Sequence, residues 1–350
     1  MNFCYNIKLL LFTTLFVFTT VLPIFSADTE CKYVPQHIDD RRVDKNTFRV
    51  VQYNVEWLFI DEYNNSQCPG VGCTWANQSE ALKHMDYVSD VLNTINGDYI
   101  NFCEIEGCDE LNMLIDKTSS DYKPYLIKGT DTSTGQNVGI LTKIDVNTEL
   151  QRNDGKYTYP VANSKCGYTG SPSNTGVSKH YYTTININNI NIAIIGAHLL
   201  AIPTDPARCA TREAQAQILQ DTILYMKDKG YEIIVLGDMN DYDNEILDSN
   251  NNIPTSMVLD ILKGNAGEFK GYYKLNSVSS FIQKEDRYSD WWDENKDCKE
   301  QITDFSMIDH ILVSDNLYKK IDNVFIYHGY KEYCGKYDSD HFPVVLDFKL

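Results

Sequence analysis

Five apolar runs of this chain carry, at or near one end, a side chain that ionises or hydrogen-bonds strongly. Phe48–Tyr53 stops on Asn54, Tyr99–Cys103 on Glu104 and Ile192–Ala197 on His198, Glu232–Leu236 stops just before Asp238, and Ser306–Val313 has Asp309 near its start. Runs of this length and β-branched content, bounded by turn residues, read as buried strands. One Asn or Asp at such a place is ordinary, because both start turns well. Five together restrict the fold. If the strands lie side by side, their ends bring several carboxylates to one rim of a sheet, which costs free energy unless a cation offsets the repulsion.

Between these runs, Glu80–Ile95 places Leu82, Met85, Val88, Val91, Leu92 and Ile95 at helical spacing. A short helix follows from Asp109, an N-cap residue type, to Lys117, and Arg208–Met226 and Thr255–Leu262 read as two more. Val138–Thr142, Tyr181–Ile187, Asn323–Tyr327 and Pro343–Phe348 are further strands, with Asn188-Asn189 a hairpin turn before Ile192. Two long polar excursions, Asn153–Lys179 and Gly264–Asp304, interrupt a single domain.

Lys8 followed by the uncharged stretch Leu9–Phe25 and the small residues Ser26 and Ala27 reads as a secretory leader over residues 1–27. An uncleaved membrane anchor is the competing reading. Residues 28–350 then form a single domain. Removing Cys4 with the leader leaves nine of the ten cysteines, an odd number for an oxidising compartment, and Cys103, inside an apolar run, is the one expected to stay unpaired. Sequons at Asn64 and Asn77 fit a secreted glycoprotein. The formal charge of −18 argues against holding nucleic acid on a broad basic surface, so no stable nucleic-acid partner is expected. It leaves metal-assisted cleavage open, since a bound cation brings its own positive charge.

In order along the chain stand Val51-Gln52-Tyr53-Asn54, Asp98-Tyr99-Ile100-Asn101-Phe102-Cys103-Glu104, Gly196-Ala197-His198-Leu199, Leu236-Gly237-Asp238-Met239-Asn240-Asp241, Met307-Ile308-Asp309-His310 and Ser339-Asp340-His341-Phe342-Pro343. This series resembles the endonuclease/exonuclease/phosphatase superfamily of metal-dependent phosphodiesterases. The resemblance implies an α/β fold, a four-layered sandwich of two mixed β-sheets packed face to face with flanking helices. It also implies Mg²⁺ or Mn²⁺ held by Glu104 with Asn54 and Asp340. Asp238 would orient or deprotonate the attacking water, Asn240 would donate to a phosphate oxygen, and Asp309 would orient His341. His198 resembles a second histidine that relatives orient with a glutamate. Gln136 stands where that glutamate is expected, which makes His198 a phosphate-binding donor rather than an acid/base group. Glu106 reads as a supporting or solvent residue, Asp241 as a turn residue, His310 as a packing or rim residue, and Arg208 and Arg212 as helix-surface ion-pairing residues, with contact to substrate the alternative.

The expected activity is hydrolysis of a phosphodiester, with DNA the favoured substrate and a monomer the expected state. A phospholipid, sphingolipid or inositol-phosphate hydrolase of the same fold is the alternative, for which Trp291-Trp292 is the one candidate membrane-entry pair. Those tryptophans could equally be buried or stack on bases. A catalytically inactive binding glycoprotein is the reading from another class. For the secreted protein, N-terminal sequencing is expected to begin near Asp28 and most cysteines to be oxidised. A chain that starts at Met1, or nine free thiols by mass spectrometry, contradicts this.

Overall fold

The computed structural model describes residues 30–62, 74–330 and 337–350. The leader, the Asn64 sequon and Cys68, Cys73 and Cys334 lie outside them. Strand β1 (Thr47–Leu58) leads into helix α1 (Gln78–Ile95), which starts where Asn77 caps it by accepting from the Glu80 N–H. Its buried face carries Ala81, His84, Met85, Val88 and Leu92, whereas Leu82 turns to solvent. Strand β2 (Tyr99–Ile105) and helix α2 (Cys108–Lys117) follow; Gly107 rather than Asp109 is the cap, and Asp109 sits in the first turn. Strand β3 (Lys123–Leu126) went unread in the sequence because it is four residues long and contains Pro124, and β4 (Asn137–Thr142) pairs beside it.

A small hairpin, β5 (Tyr157–Tyr159) and β6 (Ser173–Thr175), occupies the first excursion. Strands β7 (Lys179–Ile187) and β8 (Ile190–His198) are joined by Asn188 and Asn189 at φ 50 and 64, the left-handed pair that a tight hairpin needs. Asp205 caps the long helix α3 (Pro206–Asp228), and β9 (Glu232–Asp238) and the short α4 (Val258–Lys263) come next. Strands β10 (Leu275–Ser277) and β11 (Asp290–Trp291) lie in the second excursion, and β12 (Phe305–Ser306), which pairs with β11, follows directly after it. The expected strand Ser306–Val313 is therefore split. Ser289 Oγ accepts from the N–H groups of Ile308 and Asp309 just before β13 (Asp309–Ser314) begins. Helix α5 (Asp315–Tyr318) and strands β14 (Ile321–Ile326) and β15 (Val344–Lys349) close the chain.

The strands form a six-stranded sheet, β14-β15-β1-β2-β4-β3, and a five-stranded sheet, β10-β13-β9-β8-β7. Both are mixed: β1–β2 and β8–β9 are parallel and the other pairs antiparallel. Alternation along each strand sorts side chains between layers. Val50, Tyr99, Ile140, Ile194, Leu236 and Ile311 meet between the sheets. On the outside, Val51, Ile100 and Phe102 pack on Met85, Val88 and Leu114 of α1 and α2, while Ile195, Ile233 and Val235 pack on Leu219, Ile223 and Ile261 of α3 and α4. The result is the expected four-layered sandwich. Cys31–Cys108 and Cys166–Cys209 are disulfides, Cys298 is also disulfide-bonded, and Cys103 is free and buried as expected. Among the described residues no helix is long and apolar enough to cross a membrane.

Gly237 is the glycine on which the rim depends. Its φ is 153, and a Cβ there would lie 1.8 Å from the backbone oxygen of Ala197 on the neighbouring strand. Gly237→Ala is expected to cost about 3 kcal/mol or more, because neither backbone can retreat without breaking the β8–β9 ladder. Urea titration checks this. A midpoint equal to that of the unsubstituted protein would show that the strands can separate.

Candidate active site

Strand register assembles one side of the site. Asp309 pairs with Asp238, Asp238 with His198, and His198 with Lys179, so four polar residues lie in one row across the five-stranded sheet. The six-stranded sheet supplies the other side through a double irregularity. Pairing of β1 with β2 slips between Asn54 and Leu58, and that of β2 with β4 between Cys103 and Ile105. Glu56, Trp57 and Glu104 take left-handed backbone, with φ of 44, 50 and 68, and these bulges turn Asn54 and Glu104 toward the row.

At the centre, His341 Nδ1 lies 2.7 Å from Asp309 Oδ2. Asp309 is fully buried, and its remaining capacity is filled by Gln52 Nε2 (3.0 Å) and Ser289 Oγ (2.9 Å). Gln52 is held in turn: its Oε1 accepts from Asn101 Nδ2 (2.5 Å), and Asn101 Oδ1 accepts from the Tyr181 hydroxyl (2.7 Å). Burial opposes a charge on His341, but the Asp309 carboxylate, with Asp340 and Asp290 beyond it, outweighs burial and raises the ring well above its ordinary pKa. The imidazole is therefore an imidazolium whose Nε2–H faces the site.

Around Nε2 stand Asn54 Nδ2 (3.3 Å), Asp290 Oδ1 (3.6 Å), Asp340 Oδ1 (3.9 Å) and Asp238 Oδ2 (4.0 Å). Asn54 is the hub, because its amide also donates to Asp238 Oδ2 (3.0 Å) and Glu104 Oε1 (3.1 Å). Burial, followed by the neighbouring Asp309 charge, pushes Asp238 up to about 8. His198 Nε2 lies 3.5 Å from Asp238 Oδ2 and 3.9 Å from Glu104 Oε1. Burial, then the charges of Lys179 and His341, hold His198 well below its ordinary pKa, so the ring is neutral. Gln136 does not orient it. Gln136 Oε1 instead accepts from Lys179 Nζ (2.9 Å), and His198 Nδ1 has no hydrogen-bond partner among the described residues. Asn240 stands beyond the end of β9 with φ 50; its Nδ2 donates to Leu199 O (3.2 Å) and its backbone N–H to Asp238 Oδ1 (2.9 Å).

The family model described as the Endonuclease/Exonuclease/phosphatase family matches residues 51–341, a span that runs from β1 to His341. The chain belongs to the endonuclease/exonuclease/phosphatase family. Its members are hydrolases that act on phosphoester bonds. Solved structures share the fold at low identity. A family protein from Leptotrichia buccalis is 15% identical, with a TM-score of 0.53 over 87% of this chain and 100% of that one. The human Nocturnin catalytic domain with bound sulfate is 15% identical, at 0.51 over 89% and 96%. Truncated TDP2 from Caenorhabditis elegans is 16% identical, at 0.50 over 87% and 98%. Among curated proteins, none matches this sequence.

The family's use of divalent metal is compatible with the donors present. Two trios, Asp238–Asp309–His341 and Asp290–Asp340–His341, bring ligand atoms within 4.8 Å of one another, and Glu104 joins them through Asn54. Carboxylates outnumber cations here, and burial, with the Asp309 charge second, raises Asp238, a cost that a bound cation would offset. Hard oxygen donors of this kind suit Mg²⁺ or Mn²⁺.

Sequence reasoning missed several of these groups. Asp290 and Ser289 lie inside a long polar excursion and reach the site only because Asp290 bridges to His341. Gln52, Asn101 and Lys179 could have been found as polar residues on the inward phase of apolar strands, at Val50–Gln52–Asn54 and Tyr99–Asn101–Cys103. Arg212 is not a surface ion-pairing residue; it is fully buried and pairs with Asp241 Oδ2 at 3.2 Å. Asp241 is accordingly an ion-pair partner as well as a turn residue. Glu106 is a supporting residue that accepts from the N–H groups of Ile60, Asp61 and Glu62, and His310 is buried against Asp241 O.

Asp238 yields a test without substrate. A pKa raised in the fold from about 4 adds stability at low pH that is lost as pH rises through the folded value of about 8. In chelator, wild type should therefore lose melting temperature between pH 5 and pH 8 and Asp238→Asn should lose less. Parallel losses in the two proteins would refute the assigned charge burden.

Proposed function

We propose that this protein is a secreted, divalent-metal-dependent phosphodiesterase that cleaves DNA by in-line attack of water. The observation that carries the reading is the charged His341, locked by buried Asp309 and opposed by Asp238 Oδ2 4.0 Å from its Nε2, with the Asn54 amide between them. His341 Nε2–H donates to a non-bridging phosphate oxygen, where charge grows as the transition state forms, while the Asn54 amide holds Asp238 and Glu104 in place. Asp238 accepts a proton from the attacking water, a task for which a carboxyl titrating near neutrality is suited. Neutral His198 donates one N–H from the flank. Glu104, Asn54 and Asp340 would hold Mg²⁺ or Mn²⁺, which when bound supplies positive charge to the phosphoryl oxygens.

Nucleic acid is favoured over a lipid surface because the tryptophan pair on which membrane entry would depend is divided. Trp291 is buried in the core, whereas Trp292 is 66% exposed. Secretion is supported by the leader pattern and by the disulfides at Cys31–Cys108 and Cys166–Cys209.

The test incubates purified protein with plasmid DNA, RNA, sphingomyelin vesicles and inositol phosphates, in Mg²⁺ or Mn²⁺ and then in chelator. DNA cleavage lost in chelator is expected. Full activity in chelator removes the metal, and cleavage of sphingomyelin without DNA removes the substrate. Asp309→Asn and His341→Ala should each lower turnover by about 10²-fold or more with a smaller change in KM, and His198→Ala should cost less. A larger loss at His198 than at His341 would reverse their roles.

A further inference from the structure

Four residues beyond His198, Ile202 is held in left-handed backbone at φ 68 with its side chain 50% exposed. A β-branched residue is among the least suited to that conformation, which Gly or Asn adopts readily. Packing does not account for the choice, since half of the side chain stands in water. Such a residue persists only where the surroundings over-determine its backbone.

Those surroundings are unusually firm. Arg212, fully buried, donates Nη1 to the carbonyls of Leu200 (2.9 Å) and Ile202 (3.0 Å) and Nη2 to Pro203 O (2.7 Å), while its Nε pairs with Asp241. The loop is also tied to the row of site residues: Leu199 N–H donates to Asp238 O (2.9 Å), and Leu199 O accepts from Asn240 Nδ2. The strained loop is thus fastened at Asp238, Asn240 and Asp241, and it carries a stiff, half-exposed apolar residue four positions beyond His198.

We propose that Ile202 is a specificity-determining residue that packs on the sugar or base beside the scissile phosphodiester, so that the enzyme favours a polynucleotide over a small diester. This rests on the phosphodiesterase reading above. Burial of the exposed half of the isoleucine on substrate supplies a gain that the free protein does not realise. The rigid support lets the contact form without ordering the loop.

The test compares the full chain with Ile202→Asn and Ile202→Leu, measuring Tm and kcat/KM on duplex DNA, bis(p-nitrophenyl) phosphate and sphingomyelin vesicles. Ile202→Asn should melt at the same temperature or a few degrees higher, because the strain is relieved. The ratio of its DNA to small-diester kcat/KM should fall by about fivefold, and Ile202→Leu should keep most of the ratio. A parallel fall on both diesters, or an unaltered ratio, overturns the assignment while leaving the activity intact. Loss confined to sphingomyelin overturns it in favour of a lipid surface. A wild-type protein inactive on every substrate overturns the phosphodiesterase reading itself.

Discussion

The buried pair of Asp309 and His341 is the constraint around which the rest of the structure is arranged. A carboxylate at 0% exposure is stable only if its lone pairs are filled, and removing one partner of such a pair typically costs about 3–5 kcal/mol. Here Gln52 comes from the first strand of one sheet, Ser289 from the second excursion, and His341 from the closing segment. Satisfying one carboxylate therefore draws together residues 52, 289, 309 and 341.

The same requirement extends into the core. Gln52 is oriented by Asn101 and Asn101 by Tyr181, whose hydroxyl also meets that of Tyr99, so a chain of hydrogen bonds runs through the aliphatic and aromatic core between the sheets. In a low-dielectric interior a fully satisfied network of this kind is rigid, and a half-satisfied one is costly. Rigidity beneath the rim lets the rim itself be irregular. Glu56, Trp57, Glu104 and Asn240 hold left-handed backbone there, and Gly237 admits an approach that no other residue allows.

Electrostatics divides the two histidines by environment. Both are buried, yet the Asp309 carboxylate on Nδ1 raises His341 well above its ordinary pKa, whereas burial, with the charges of Lys179 and His341 added, holds His198 well below it. Gln136 contributes by anchoring Lys179, a role opposite in sign to the glutamate expected at that place.

The sequence by itself determined the longer strands of the two sheets, which of them end in polar residues and in what order the motifs come. Those depend on local periodicity and on the turn preference of Asn, Asp and Gly, as at Asn188-Asn189 and Gly237-Asp238. It also marked Cys103 as buried and unpaired, because the thiol lies within a continuous apolar run. Only the tertiary structure decided that Arg212 is a core clamp, that Asp290 stands beside His341, that Trp291 and Trp292 part company, and that Gln136 serves Lys179. Each of those facts is a pairing between residues far apart in the chain or a choice of face within an irregular segment, and neither periodicity nor spacing carries that information.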